Sequence, residues 1–164
     1  MRHPQDTNFG QSLVWEVPDA ATMEEIGMRL GRVCPEGMLI FLQGDLGAGK
    51  TTVVRGFLHG RGYTGRVKSP TYTLLEPYRT GRSSVYHLDL YRIRDPEELE
   101  AIGIRDYFDG EGICLIEWPE KGATLLPVPD LHIRITFGNC GRVLSMQPRT
   151  PRGRELLKTA AAPV

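Results

Sequence analysis

Apolar and polar residues alternate from Ser12 to Val17, which predicts a first strand with one wet face. Asp19 stands where a helix cap is needed, and Ile26, Leu30 and Val33 give the following residues a helical stripe from about Ala20 to Val33. Pro35-Glu36-Gly37 ends it. Met38 to Leu42 is continuously apolar, the pattern of a strand buried on both faces. A Gly-rich turn, Gly44 to Thr52, leads into a second helix to about Leu58. Gly60 to Pro70 reads as loop, and Tyr72 to Tyr78 and Ser84 to Leu90 as two strands turning at Thr80-Gly81.

Asp95-Pro96-Glu97-Glu98 has the form of a helix start, with the helix ending near Gly103 and a short second piece over Arg105 to Phe108. Ile113 to Ile116 is another continuous apolar run after the Gly110-Glu111-Gly112 turn, and Glu117-Trp118 follow it. Leu131 to Phe137 and Val143 to Met146 predict a closing antiparallel pair around Gly138-Asn139. Residues 1–147 are expected to form one domain. Beyond Gln147 the Pro-, Arg- and Ala-rich residues 148–164 predict a loose tail or frayed helix.

Composition narrows the class. The 164 residues are 40% hydrophobic and carry 20 Lys+Arg against 20 Asp+Glu, too apolar and too neutral for a disordered chain or an electrostatic coat on nucleic acid. The longest apolar run is far below the roughly 20 residues of a membrane span. MRHPQDTNFG has no apolar h-region, so no secretory signal and no membrane association are expected. Cys34, Cys114 and Cys140 form no CxxC pair and read as reduced thiols, which points to the cytoplasm. Charge is segregated: Arg55 to Arg82 holds six Lys/Arg and one acid, whereas His87 to Glu120 holds ten acids and three arginines. The two stretches fit either solvated faces or a surface that docks a partner.

Gly44-Asp45-Leu46-Gly47-Ala48-Gly49-Lys50-Thr51 matches GxxxxGK[ST] between a buried-strand run and a helix, the context the motif requires. Backbone N–H groups of such a loop wrap a phosphate chain, and the next helix points its positive end at the same anion. Lys50 can reach the β- and γ-phosphates, and the Thr51 hydroxyl can ligate Mg²⁺. Two segments compete to supply the second acid. Glu117 ends the more continuous apolar run, and Asp89 ends the more alternating Val85 to Asp89; one could bind metal while the other orients water. Thr71, in Ser69-Pro70-Thr71, is either a turn former or a γ-phosphate sensor. Trp118 is core filler or a site wall, and His87 reads as a satisfied strand histidine before it reads as a base. No NKxD-type guanine-reading segment and no Arg-rich lid insertion are present.

GDLGAGKTT, VKSPTYTLLEPY (Val67 to Tyr78), VYHLDLYRI (Val85 to Ile93), DPEELEAIGIRDYF (Asp95 to Phe108) and ICLIEWPEK (Ile113 to Lys121) together resemble the TsaE family. That family comprises small bacterial P-loop ATPases required for threonylcarbamoyladenosine modification of tRNA. The resemblance spans about Leu13 to Met146. It implies a P-loop NTPase-like three-layer α/β/α sandwich with a mixed, partly parallel sheet. It also implies ATP and Mg²⁺ on Lys50, Thr51 and Thr52, with Asp89 and Glu117 in the metal region. The family's switch-like loop falls on Thr71, and Trp118 lies in its site motif. Adenine-side contacts would fall on Asp19-Ala20 and Gly141-Arg142, although Ala20 offers adenine no polar group. TsaB and TsaD are the implied partners, with tRNA reached through that complex. Two other readings stay open from the residues: a small-molecule P-loop kinase, and a nucleotide-gated binding module with negligible turnover.

Overall fold

The computed structural model describes residues 10–81 and 83–162. The N-terminal residues read for a targeting signal lie largely outside these, as does Arg82 at the end of the basic stretch. Seven strands form one sheet in the order β1-β7-β6-β2-β5-β4-β3. They are β1 (Leu13–Val17), β2 (Leu39–Gln43), β3 (Leu75–Arg79), β4 (Ser84–Asp89), β5 (Ile113–Glu117), β6 (Leu131–Gly138) and β7 (Gly141–Pro148). The inner strands β4, β5, β2 and β6 run parallel, while β3, β7 and β1 pair antiparallel toward the edges. The sheet is therefore mixed. The continuous apolar runs of β2 and β5 occupy its centre, where both faces must be covered.

Helices α1 (Ala20–Val33), α2 (Lys50–Gly60) and α4 (Pro151–Ala161) cover the face that carries Ile40, Leu42, Leu115 and Ile133. The short helix α3 (Glu97–Ala101) and a 3₁₀ turn at Ile104–Phe108 close the other face over Leu39, Leu88, Cys114 and Ile116. This is the expected three-layer sandwich. Asp19 caps α1, its carboxylate accepting from Thr22 N at 2.8 Å. Of the expected stripe on α1, Ile26 and Leu30 are buried but Val33 is 38% exposed; Met23, Gly27 and Gly31 complete the buried face. Small residues replace large ones because α1 and α2 touch backbone to backbone. A Cβ at Gly31 would fall 2.1 Å from Phe57 O, and one at Gly56 2.0 Å from Glu24 O. That contact fixes the helix following the Gly-rich loop against the rest of the fold.

Two expectations are corrected. Tyr72 to Leu74 belong to a turn rather than to β3: Leu74 N donates to Pro70 O at 2.7 Å, Leu74 adopts φ +69°, and Tyr72 is 83% exposed. Of the two forms expected beyond Gln147, loose tail or frayed helix, residues 151–161 take the helical one, but as the capped helix α4 packed on α1 through Leu156, Leu157 and Ala160. Thr150 caps it, bonding Gly153 N at 3.1 Å and Asp130 Oδ1 at 2.7 Å, and Arg29 donates to Ala162 O at 2.8 Å. Cys34 and Cys114 are buried, Cys140 is exposed, and all three are free. Burial pushes the Cys34 and Cys114 thiols up to about 12, which makes both poor nucleophiles. No helix among the described residues is long and apolar enough to cross a membrane.

Candidate nucleotide site

The carboxyl ends of the parallel strands gather the candidate residues. β2 runs into Gly44–Gly49, and Lys50 opens α2. The loop needs left-handed backbone at two points, Gly47 (φ +77°) and Gly49 (φ +114°), where a side chain would be strained. No side chain caps α2, so its first amide N–H groups stand free for an anion.

Lys50 is buried, and its ammonium donates back to Gly44 O and, at 3.1 Å, to Asp45 O. It also sits 4.3 Å from the centroid of the Trp118 ring. Burial holds the Lys50 ammonium below its ordinary pKa, and the nearby Glu117 and Asp89 carboxylates oppose that shift. Trp118 reaches this place through a left-handed backbone, φ +56°, which turns the chain sharply after β5 and stacks the indole 5.0 Å from Tyr91.

Asp89 and Glu117 end adjacent parallel strands as direct register partners, so both carboxylates stand on the face covered by α2. Thr51 Oγ1 donates to Glu117 Oε2 at 3.3 Å, and Thr71 Oγ1 donates to Asp89 Oδ2 at the same distance. Ser69 Oγ lies 2.8 Å from Thr71 Oγ1, and Tyr91 N donates to Asp89 Oδ1 at 3.0 Å. Burial raises the Asp89 carboxyl above the ordinary aspartate range, and the Glu117 charge adds to this. His87, read as a core histidine, lies wholly buried with Nε2 2.6 Å from Glu117 Oε2. The i, i+2 spacing of His87 and Asp89 was the available signal that both share a face.

Beyond the loop lies a pocket of about 320 Å³ lined by Asp19, Ala20, Met23, Gly47, Ala48, Gly49, Thr52, Gly141 and Arg142. Arg142 Nη2 donates to Gly47 O at 3.2 Å and the guanidinium stacks 4.3 Å from the Phe137 ring. The two segments read as adenine-side contacts, far apart in sequence, thus meet at the loop. The sequence reading passed over Val17, Pro18 and Met23, which supply the pocket's apolar wall. Leu46, at the loop tip, is exposed instead.

The donor set suits a hard cation. A threonine hydroxyl and two carboxylates are oxygen ligands, and no group of three or more His, Cys, Asp or Glu placed to hold a metal occurs among the described residues. Mg²⁺ is commonly held by one or two carboxylates together with substrate phosphates, so Thr51, Glu117 and Asp89 fit it.

The family model for "Threonylcarbamoyl adenosine biosynthesis protein TsaE" matches residues 17–143. A Haemophilus influenzae protein named tRNA threonylcarbamoyladenosine biosynthesis protein TsaE is 43% identical over 152 residues, covering 90% of this chain and 96% of that one. A Bacillus subtilis protein of the same name is 38% identical over 125 residues, covering 76% and 78%. The crystal structure of Bacillus subtilis YdiB superposes with a TM-score of 0.79 at 30% identity, covering 92% of this chain and 95% of that one.

Proposed function

The chain belongs to the TsaE family of threonylcarbamoyl adenosine biosynthesis proteins, and from that premise we propose that it is a Mg²⁺-dependent ATPase serving tRNA threonylcarbamoyladenosine synthesis together with TsaB and TsaD. One observation carries the reading. Lys50, Thr51, Asp89 and Glu117 converge from three separate elements on the mouth of one Gly-rich loop, with Thr51 and Thr71 bridging to the carboxylates.

The triphosphate lies along Gly44–Gly49 with its negative charge at the amino end of α2. Adenine enters the pocket between Ala20, Met23 and Arg142. Lys50 leaves its carbonyl partners for the β- and γ-phosphate oxygens and stabilises the charge that grows there as the bond to the leaving oxygen lengthens. Thr51 and Glu117 hold the metal ion, which when bound neutralises phosphate charge. Asp89, with its raised pKa, and Thr71 orient the attacking water; the products are ADP and inorganic phosphate. Thr71 lies within the basic stretch and Asp89 within the acidic one, so a docked partner alters the surroundings of the γ-phosphate. Hydrolysis is therefore slow alone and changes on docking.

Reconstitution tests this reading: the chain, TsaB, TsaD, unmodified tRNA and the carbamoyl donor are combined with and without ATP labelled at the γ-phosphate. The expected result is modified tRNA only with this chain and ATP, with the label recovered as inorganic phosphate. Label transferred to a metabolite would indicate a kinase, and modification with no label released would indicate a binding module.

A further inference from the structure

Of the buried titratable side chains Lys50, His87, Asp89 and Glu117, this chemistry leaves His87 unused. It is 0% exposed, on the strand and face that also carry Asp89. Its Nε2 lies 2.6 Å from Glu117 Oε2, the oxygen that also accepts from Thr51 Oγ1. A carboxylate only accepts, so the imidazole donates from Nε2. Nδ1 has no hydrogen-bond partner among the described residues. Packing alone does not account for this. The neighbouring Val85 and Leu115 fill their places with hydrocarbon, whereas an imidazole with one nitrogen unpaired costs free energy when buried. The one side-chain hydrogen bond His87 makes among the described residues goes to the end of β5, where a glutamate would otherwise sample several rotamers.

Resting on the metal role proposed for Glu117, we propose that His87 is the positioning residue for that carboxylate. It ties down Oε2, the oxygen that also accepts from Thr51 Oγ1, and so holds the carboxylate in the one orientation that keeps it beside Thr51. Hydrogen-bonded support of a ligating carboxylate changes metal affinity or activity by about 10–100-fold.

The test compares His87→Leu, which keeps bulk and loses the donor, with His87→Gln, whose amide nitrogen can reach the Nε2 position. Each is made alone and together with Glu117→Gln. Mn²⁺ binding to the chain–ADP complex is read by the signal of free Mn²⁺, beside the thermal midpoint without nucleotide. His87→Leu is expected to weaken Mn²⁺ binding by about 10–100-fold, and His87→Gln to recover most of the loss. In the Glu117→Gln background His87→Leu should add nothing, because residues that act through one group are not additive. An equal loss with and without the Glu117 carboxylate would overturn the proposal, as would affinities that follow the thermal midpoint in both variants. If His87→Leu does not fold, His87→Asn replaces it: its amide stands near Nδ1, and Mn²⁺ affinity equal to that of His87→Gln would overturn the proposal. A wild-type chain that takes up no Mn²⁺ with ADP would instead defeat the reading of Glu117, and this inference with it.

Discussion

The Lys50 ammonium rests 4.3 Å from the centre of the Trp118 ring, held there by Gly44 O and Asp45 O. This is the place a phosphoryl group would need to draw it from, so the two residues report on the same event. Removing the ammonium in Lys50→Ala should lower ATP turnover by about 10²–10³-fold, the cost of deleting one charge-stabilising donor. The thermal midpoint without nucleotide should stay within a few degrees of wild type. Steady-state phosphate release and a melting curve check this. Unchanged turnover would place the phosphate elsewhere.

The same contact gives a binding signal. The chain has two tryptophans, Trp15 and Trp118. In a Trp15→Phe background, ADP should change the emission of Trp118 as Lys50 leaves its ring. With Lys50→Ala the change should be much smaller at saturating ADP. An equal change in both proteins would mean that the cation is not what moves.

Glu117 and Asp89 should fail differently. Glu117 shares a hydrogen bond with Thr51, whereas Asp89 shares one with Thr71. Glu117→Ala should therefore raise the Mg²⁺ concentration needed for half-maximal turnover, and Asp89→Ala should lower kcat with a smaller change in that requirement. A Mg²⁺ titration of both variants decides it. The larger metal effect in Asp89→Ala would reverse the two roles.

The helix seam makes a claim about stability alone. An added methyl group at Gly31 would meet Phe57 O, a backbone atom that cannot rotate away. Gly31→Ala should lose about 1–3 kcal/mol, the usual cost of overpacking, and the midpoint in urea should fall accordingly. A stability equal to wild type would show that α1 and α2 slide apart at no cost.

His132 sets an acid limit. It lies in β6 with Nε2 2.8 Å from Gln43 Oε1, and burial, then the Arg134 and Arg149 charges, hold its pKa below the ordinary 6.5. The unfolded chain thus binds the proton more readily, and the stability from His132 is complete above pH 6.5 and lost as pH falls through the lower folded value. Between neutral pH and pH ~5, His132→Gln should lose thermal stability less steeply than wild type. Parallel curves would contradict this.

What the sequence made legible was local. The Gly-rich loop, Asp19 as a cap and the apolar runs of β2 and β5 each declare themselves within a few residues. The meeting of Asp89 with Glu117 depends on strand order and register, which no single segment encodes. The pairing of Thr71 with Asp89 depends on a turn set by the left-handed Leu74, a residue whose type gives no warning of that backbone. The packing of helix α4 on the core was not legible because its buried stripe, Gly153, Leu156, Leu157 and Ala160, includes two small residues and carries little hydropathy. Thr150-Pro151 was nevertheless a readable start signal.

Control of the site by a docked partner is tested most directly by steady-state ATP turnover of the chain alone and with saturating TsaB and TsaD, each at low and high salt. Thr71 lies in the basic stretch Arg55 to Arg82, and Asp89 and Glu117 lie in the acidic stretch His87 to Glu120; attraction between exposed charges is screened beyond a Debye length of about 8 Å at physiological ionic strength, and sooner at high salt. Slow turnover alone, a changed rate with the pair, and loss of that change at high salt are expected. The same rate under all four conditions would contradict it and leave a self-contained enzyme.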